Sequence, residues 1–311
     1  MIYRHSIRDG DLIEAVKDED LDWVEVINPS EEDIKFVAEK YDLPRDYLLD
    51  VNDPYEVSRV EGLEDDRPNL FALSYPVKEN NYEYTTRIIS IIIVDHLVIT
   101  VIKGKSKVLT EFRQSRDFSK IKENGNMENF TIQLAWAITK RFIEDIKAIN
   151  REISVIEEEV KKSTRTESLH KLIDIHKSLV NFKIAISENN PVIKSMFELE
   201  YLSTSEFRED LLHDLLVENK QAGTMIDKSS AMVESLSDLY TNVISNNMNN
   251  TMKILTSITI IMTIPTIIGG IWGMNVKLPF ADEPHAFLII MILNIGFSAI
   301  LIYFLNKKDY L

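Results

Sequence analysis

Apolar residues fall in two long uncharged runs near the C-terminus, Ile254 to Val276 and Ala286 to Asn306. Each run meets the roughly 20 residues that a helix needs to cross a hydrocarbon core. Lys253 and Lys277 bound the first, and His285 and Lys307 bound the second. A short polar stretch separates them, so the pattern predicts a transmembrane hairpin with both chain ends on one side. Lys253, Lys307 and Lys308 lie on that side, which points to the cytoplasm by the positive-inside tendency. Met1 to Gly10 is polar, so no N-terminal targeting segment is expected.

The rest of the chain changes period near Gly125. Asn69 to Tyr75, Tyr84 to Val94 and Leu97 to Ile102 are rich in Ile, Val, Thr and Tyr and read as strands. Asp95-His96 is expected to join the last two in a tight hairpin. Asn28-Pro29-Ser30-Glu31-Glu32 reads as a helix start with Ser30 as cap, and Leu43-Pro44 as its stop. Beyond Gly125, Ile146, Ile149, Ile153, Ile156 and Val160 recur at helical spacing. A polar break at 162–166 suggests a turn into an antiparallel partner, and a third helix is expected to run from about Ser203 into the first membrane span.

The expected organisation is therefore an α/β cytoplasmic domain with a largely antiparallel sheet over 1–125 and an antiparallel helical hairpin over 126–202. A long stalk helix over 203–272 continues as the first transmembrane helix. An external loop over 273–285, a second transmembrane helix over 286–306 and a basic cytoplasmic tail over 307–311 complete it.

The first membrane helix carries a second pattern. Asn249, Met252, Thr256, Thr259, Thr263, Thr266 and Gly270 are spaced 3, 4, 3, 4, 3, 4, the seam of a heptad. Ser245, Asn242, Asp238 and Ser235 extend it toward the cytoplasm. The other faces carry Ile254, Leu255, Ile260, Ile261, Ile264, Ile267, Ile268 and Ile271. Two readings compete. Threonines in membrane helices often bond back to their own helix, and small residues allow close packing. Alternatively the seam lines a water-filled pore shared by several copies of the chain. Helix packing in lipid gives no reason for the register to continue to Asp238 in water, which favours the pore.

Charge sharpens the picture. Of a formal net charge of −15 over 311 residues, Met1 to Asp66 carries −14, from 21 acids and 7 bases. Such a segment attracts cations and makes duplex nucleic acid a poor partner. The chain has no cysteine, which excludes disulfides, thiolate metal sites and a Cys nucleophile. No glycine-rich phosphate loop is visible. His170 and His176 lie on different helix faces, so an enzyme is not expected.

The first span ends in Ile271-Trp272-Gly273-Met274-Asn275. A Gly-Met-Asn triplet at the outer end of the first of two C-terminal spans resembles the CorA family of divalent cation transporters. Trp23-Val24-Glu25, Asn28-Pro29, Glu31-Glu32, Leu43-Pro44, Asp50, Asp53 and Glu56 extend the resemblance over nearly the whole chain. Departures are Trp272, where the family usually has Tyr, and Val276 with Leu278-Pro279-Phe280 after the triplet.

The resemblance implies a homopentameric funnel in the cytoplasmic membrane, with both termini cytoplasmic. It implies passive movement of Mg2+, with Co2+ or Ni2+ as further cargo, and Gly273, Met274 and Asn275 as selectivity filter. It also implies regulatory binding of intracellular Mg2+ at Asp214 and Asp238. Mg2+ dehydrates reluctantly, so a ring of Asn275 oxygens would grip the hydrated ion. Asp282 and Glu283 could concentrate cations at the mouth, or could be an ordinary solvated loop. Met252 is the expected hydrophobic constriction, and Pro265 could bend the span. The competing readings are a Zn2+ transporter of the same superfamily and a non-conducting, membrane-anchored metal sensor.

Overall fold

A computed structural model describes residues 1–8, 10–63, 68–114, 118, 128–162, 166–198, 206–276, 284–308 and 310. The chain forms two compact units, Met1–Ser237 and Asp238–Leu311.

The first unit is built on a seven-stranded sheet. Its strands are β1 (Ile2–Arg8), β2 (Asp11–Glu14), β3 (Trp23–Ile27), β4 (Arg59–Glu61), β5 (Asn69–Lys78), β6 (Tyr84–Val94) and β7 (Leu97–Ile102). The spatial order is β2-β1-β3-β7-β6-β5-β4. Only β3 and β7 run parallel, with Trp23 opposite Val98. The sheet is thus mostly antiparallel, as the strand patterns predict, but it holds four strands besides the three that stand out in the sequence. The strand β1, Ile-Tyr-Arg-His-Ser-Ile-Arg, is polar enough to escape a hydrophobicity reading; pairing with β2 and β3 makes it a strand.

The hairpin at Asp95-His96 forms, with Val94 opposite Leu97. Asp95 takes φ +49, a left-handed conformation that Asp tolerates better than most residues. Ser30 caps helix α1 (Glu31–Tyr41) in a capping box with Asp33, which satisfies two backbone donors that the helix cannot. Asp42 ends it in the left-handed region, ahead of the short α2 (Asp46–Leu49).

Two apolar layers cover the sheet because consecutive strand residues point to opposite faces. Val24, Val26, Ile92, Ile99 and Val101 pack with Ile34 and Val37 of α1 and with Leu48 of α2. Trp23 lies on the other face, with its ring 5.1 Å from that of Phe130 and 6.1 Å from that of Phe112. Phe112 belongs to α3 (Lys107–Arg113). Phe130 belongs to α4 (Glu128–Lys162), whose Ile146, Ile149, Ile153, Ile156 and Val160 are all buried, as their spacing predicts.

Helix α5 (Thr166–Ser195) is tied to the sheet by polar contacts. Ser178 Oγ accepts from the Tyr84 amide at 2.8 Å. Asn189 bonds both the amide and the carbonyl of Ser74. The part of α6 (Glu206–Trp272) that belongs to the first unit buries a heptad stripe: Leu212, Leu215, Asn219, Ala222, Ile226, Ser229, Val233 and Leu236. Lys183 of α5 meets Asp227 at 2.8 Å, and Ser229 Oγ bonds Asn150 of α4 at 2.6 Å.

The second unit comprises the rest of α6 and α7 (Ala286–Lys307). Both helices are long and apolar enough to cross a membrane. Their ends are joined where Ser257 Oγ donates to the Tyr310 carbonyl at 3.0 Å. Lys253 Nζ lies over the Tyr310 ring.

Candidate functional site

Helix α6 is continuous for 67 residues, about 100 Å at 1.5 Å per residue. The seam residues Asn249, Met252, Thr256, Thr259, Thr263, Thr266 and Gly270 are all exposed. The less exposed stripe of the same span is Lys253, Ser257, Ile261, Ile264, Ile268 and Trp272. At 3.6 residues per turn the seam centres roughly 140° around the helix from that stripe. The threonine face therefore turns away from the less exposed stripe, in which Ser257 is buried and the others are half-buried.

The threonines do bond back to their own helix. Thr259 Oγ1 donates to the Leu255 carbonyl at 2.8 Å, Thr263 to Thr259 at 2.7 Å and Thr266 to Met262 at 2.9 Å. This does not exhaust the seam. Each hydroxyl has one proton and two lone pairs, so a hydroxyl that donates inward presents an acceptor outward. A column of acceptors suits the protons of water held by a cation. The two readings of the threonines, back-bonding and lining, are thus compatible.

Pro265 lies inside the helix and has no N–H for the Ile261 carbonyl one turn earlier. Past Trp272 the coil tightens. Gly273 N donates to Gly269 O at 2.9 Å, and Met274 N donates to Ile271 O at 3.3 Å. A Cβ on Gly273 would lie 3.2 Å from Gly269 O, so a side chain there crowds the last turn. Met274 and Asn275 follow, both exposed.

Asp214 and Asp238 are exposed, and among the described residues neither forms an ion pair within the chain. Asp238 falls on the extended seam register. Asp282 and Glu283 lie outside the described residues. Among the described residues, no three His, Asp or Glu side chains of one chain converge into a metal site.

The acidic N-terminal segment contains a charge cluster that its composition did not localise. Arg59 pairs with Asp50, Glu56 and Glu61, and its Nε lies 2.6 Å from Glu61. Burial pushes the Asp50 carboxyl up to about 6, against the pull of Arg59. Glu25 is wholly buried, and Arg113 meets it at 3.0 Å. These acids are paired with arginines inside the domain.

The CorA-like Mg2+ transporter protein family model matches residues 18–308. The cobalt/magnesium transport protein CorA of Methanocaldococcus jannaschii is 25% identical over 315 residues, covering 98% of both chains. The protein of the same name from Thermotoga maritima is 24% identical over 188 residues, covering 57% of this chain and 52% of its own. The complete structure of the M. jannaschii CorA magnesium transporter superposes with a TM-score of 0.83 at 22% identity, covering 100% of this chain and 99% of that one. The match spans the sheet, the long helix and the apolar hairpin together, so this chain belongs to the CorA-like family of ion transporters and is not an enzyme.

Proposed function

We propose that this chain carries Mg2+ across the cytoplasmic membrane, with Co2+ and Ni2+ as further cargo, through a pore formed by five copies. The observation that carries the proposal is the exposed seam from Asn249 to Gly270, turned away from the less exposed stripe of its own helix. A single hairpin encloses nothing. Several copies of the seam around an axis give a wet channel, with apolar faces left for lipid and neighbours.

The chemistry follows from the ion. Mg2+ holds its water too tightly for hydroxyls to replace a full shell. A ring of Asn275 side-chain oxygens at the entrance accepts from the outer protons of the hydrated ion. Gly273 keeps the backbone of the triplet close to the axis. Below, Thr266, Thr263, Thr259 and Thr256 pass the hydrated ion between acceptor rings, each too weak to trap it. Multi-site weak binding is what conduction requires. Met252 is the narrow apolar layer, which closes by dewetting.

Intracellular Mg2+ regulates the same helix. Asp214 and Asp238 lie along it and have no partner in their own chain among the described residues. Mg2+ would bridge them to carboxylates of another subunit and hold the seams together; when Mg2+ falls, like-charge repulsion loosens them. Both termini are cytoplasmic in this arrangement, which places the acidic domain where it senses cellular Mg2+.

Uptake into liposomes loaded with a Mg2+ indicator tests the reading. Wild type should fill them, and Asn275→Ala should lose most of the flux at low Mg2+. Equal filling by the two proteins, or no filling above protein-free liposomes by wild type, overturns it.

A further inference from the structure

Ser257 departs from its neighbours on α6. Thr251, Thr259, Thr263 and Thr266 each donate the hydroxyl proton to the carbonyl four residues back in their own helix. Ser257 Oγ instead donates across the hairpin to the Tyr310 carbonyl at 3.0 Å. Among the described residues from Lys253 onward, Ser257 is the only buried one. The tightest point of the apolar hairpin is therefore a hydroxyl closed onto the tail of the chain.

Further contacts hold that tail. Past Lys307 the chain turns back, and Lys308 N and Tyr310 N both donate to the Leu305 carbonyl, at 3.2 and 3.1 Å. The Tyr310 ring then lies against Lys253, whose Nζ is 5.8 Å from the ring centroid. At that range an aromatic face attracts an ammonium. Among the described residues Lys253 has no ion-pair partner, and Tyr310 supplies its one aromatic contact. Lys253 follows Met252 directly and precedes Ser257 by about one turn. It sits about 100° around the helix from Met252, and its flexible stem can turn toward the tail or toward the seam.

We infer that Tyr310 is a positioning residue for the cytoplasmic mouth: docked on Ser257, it keeps the Lys253 ammonium on the tail side, away from the axis of the proposed pore. When the tail leaves, one ammonium from each copy is free to turn toward the axis at the level of Met252. A ring of positive charge there repels a divalent cation leaving the pore. The docked tail thus permits cation exit, and its release opposes it. A tyrosine at this depth also suits a bilayer anchor, but an anchor would act without Lys253, which the test below separates. The inference deepens the transport reading above and rests on it for its consequence, whereas the dock itself is read without transport.

The test uses full-length protein in lipid bilayers, as wild type, Tyr310→Ala, Tyr310→Phe, Ser257→Ala, Lys253→Gln and the double Lys253→Gln/Tyr310→Ala. Acetylation by a water-soluble N-hydroxysuccinimide ester, read by mass spectrometry, reports how far each lysine is shielded. Lys253 should react several-fold faster in Tyr310→Ala than in wild type or Tyr310→Phe, while the exposed Lys35 reacts equally in all. In Mg2+ uptake Tyr310→Ala should lower the maximal rate about fivefold, with the half-saturating external Mg2+ little changed. Tyr310→Phe keeps the ring and should match wild type, and Ser257→Ala should fall between. The double variant should carry Mg2+ as fast as Lys253→Gln alone. Unchanged Lys253 labelling in Tyr310→Ala, wild-type uptake by that variant, or the same fivefold loss on top of Lys253→Gln overturns the inference. Should Tyr310→Ala not fold, Ser257→Ala decides by the same two measurements. If wild type carries no Mg2+ while Tyr310 shields its Lys253, the transport reading fails and the dock stands.

Discussion

Thr263 Oγ1 donates to the carbonyl of Thr259 at 2.7 Å, and Thr259 Oγ1 in turn donates to that of Leu255 at 2.8 Å. The two hydroxyls use their protons on the helix that carries them and keep their lone pairs on the exposed face. Thr263→Val conserves the shape of the side chain and removes the acceptor. Mg2+ flux through reconstituted protein should fall about tenfold, equivalent to about 1.4 kcal/mol on the barrier, with folding and assembly unchanged. Thr263→Ser retains the acceptor and should stay close to wild type; a valine variant as fast as serine would place the hydroxyl outside the ion path.

Met252 is 60% exposed on the same seam, between Asn249 and Thr256. In the proposed pore a ring of Met252 side chains would keep the closed state dry. Met252→Ser should wet it, so that Mg2+ leaks into liposomes even when the internal Mg2+ is high. Uptake measured against internal Mg2+ should lose its steep decline, and persistence of that decline would move the gate elsewhere.

The regulatory role proposed for Asp238 predicts a change of threshold rather than of rate. In Asp238→Asn the internal Mg2+ concentration that halves uptake should rise several-fold, with uptake at low internal Mg2+ preserved. Uptake at a series of fixed internal concentrations measures this directly.

Asp50 should make the stability of the acidic domain depend on pH. Its carboxyl titrates at about 6 in the folded protein against 3.8 as the ordinary value. The folded state therefore holds this proton more tightly than the unfolded chain does. The favourable contribution is full below about pH 4 and is lost as pH rises through 6. Relative to wild type, Asp50→Asn should gain up to roughly 2–3 kcal/mol between pH 4 and pH 7. Denaturant unfolding followed by the fluorescence of the buried Trp23 at several pH values would show a constant difference if the coupling is absent.

Asn189 should be the costliest polar truncation in the first unit. Its Oδ1 accepts from Ser74 N and its Nδ2 donates to Ser74 O, both at 2.8 Å. Asn189→Ala takes its side-chain partner from the Ser74 carbonyl and leaves the Ser74 amide with Ser58 Oγ at 3.2 Å; an unmet buried backbone group costs about 1–3 kcal/mol. The expected loss is about 2 kcal/mol in denaturant unfolding; a loss below about 1 kcal/mol would mean that water replaces the amide.

Much of this protein is legible along the chain because its signals are periodic and local. The uncharged runs mark α7 and the outer part of α6 by length alone, since a hydrocarbon core tolerates no charge. The 3–4 spacing from Asn249 to Gly270 defines a face, because a helix has one geometry. Ser30 with Asp33, and the turn at Asp95, depend on neighbours within four residues. The triplet Gly273-Met274-Asn275 is contiguous and needs no folding to be seen.

What only the tertiary structure decided is non-local. The strand β1 is polar in sequence and becomes a strand because β2 and β3 flank it. Asn189 gives no sign that it closes Ser74, 115 residues away. The back-bonds of Thr259, Thr263 and Thr266 to their own helix also appear only in the structure. A sequence prescribes the order of faces along each helix, but which face meets which depends on contacts between residues far apart in the chain, and those exist only once the backbone has closed on itself.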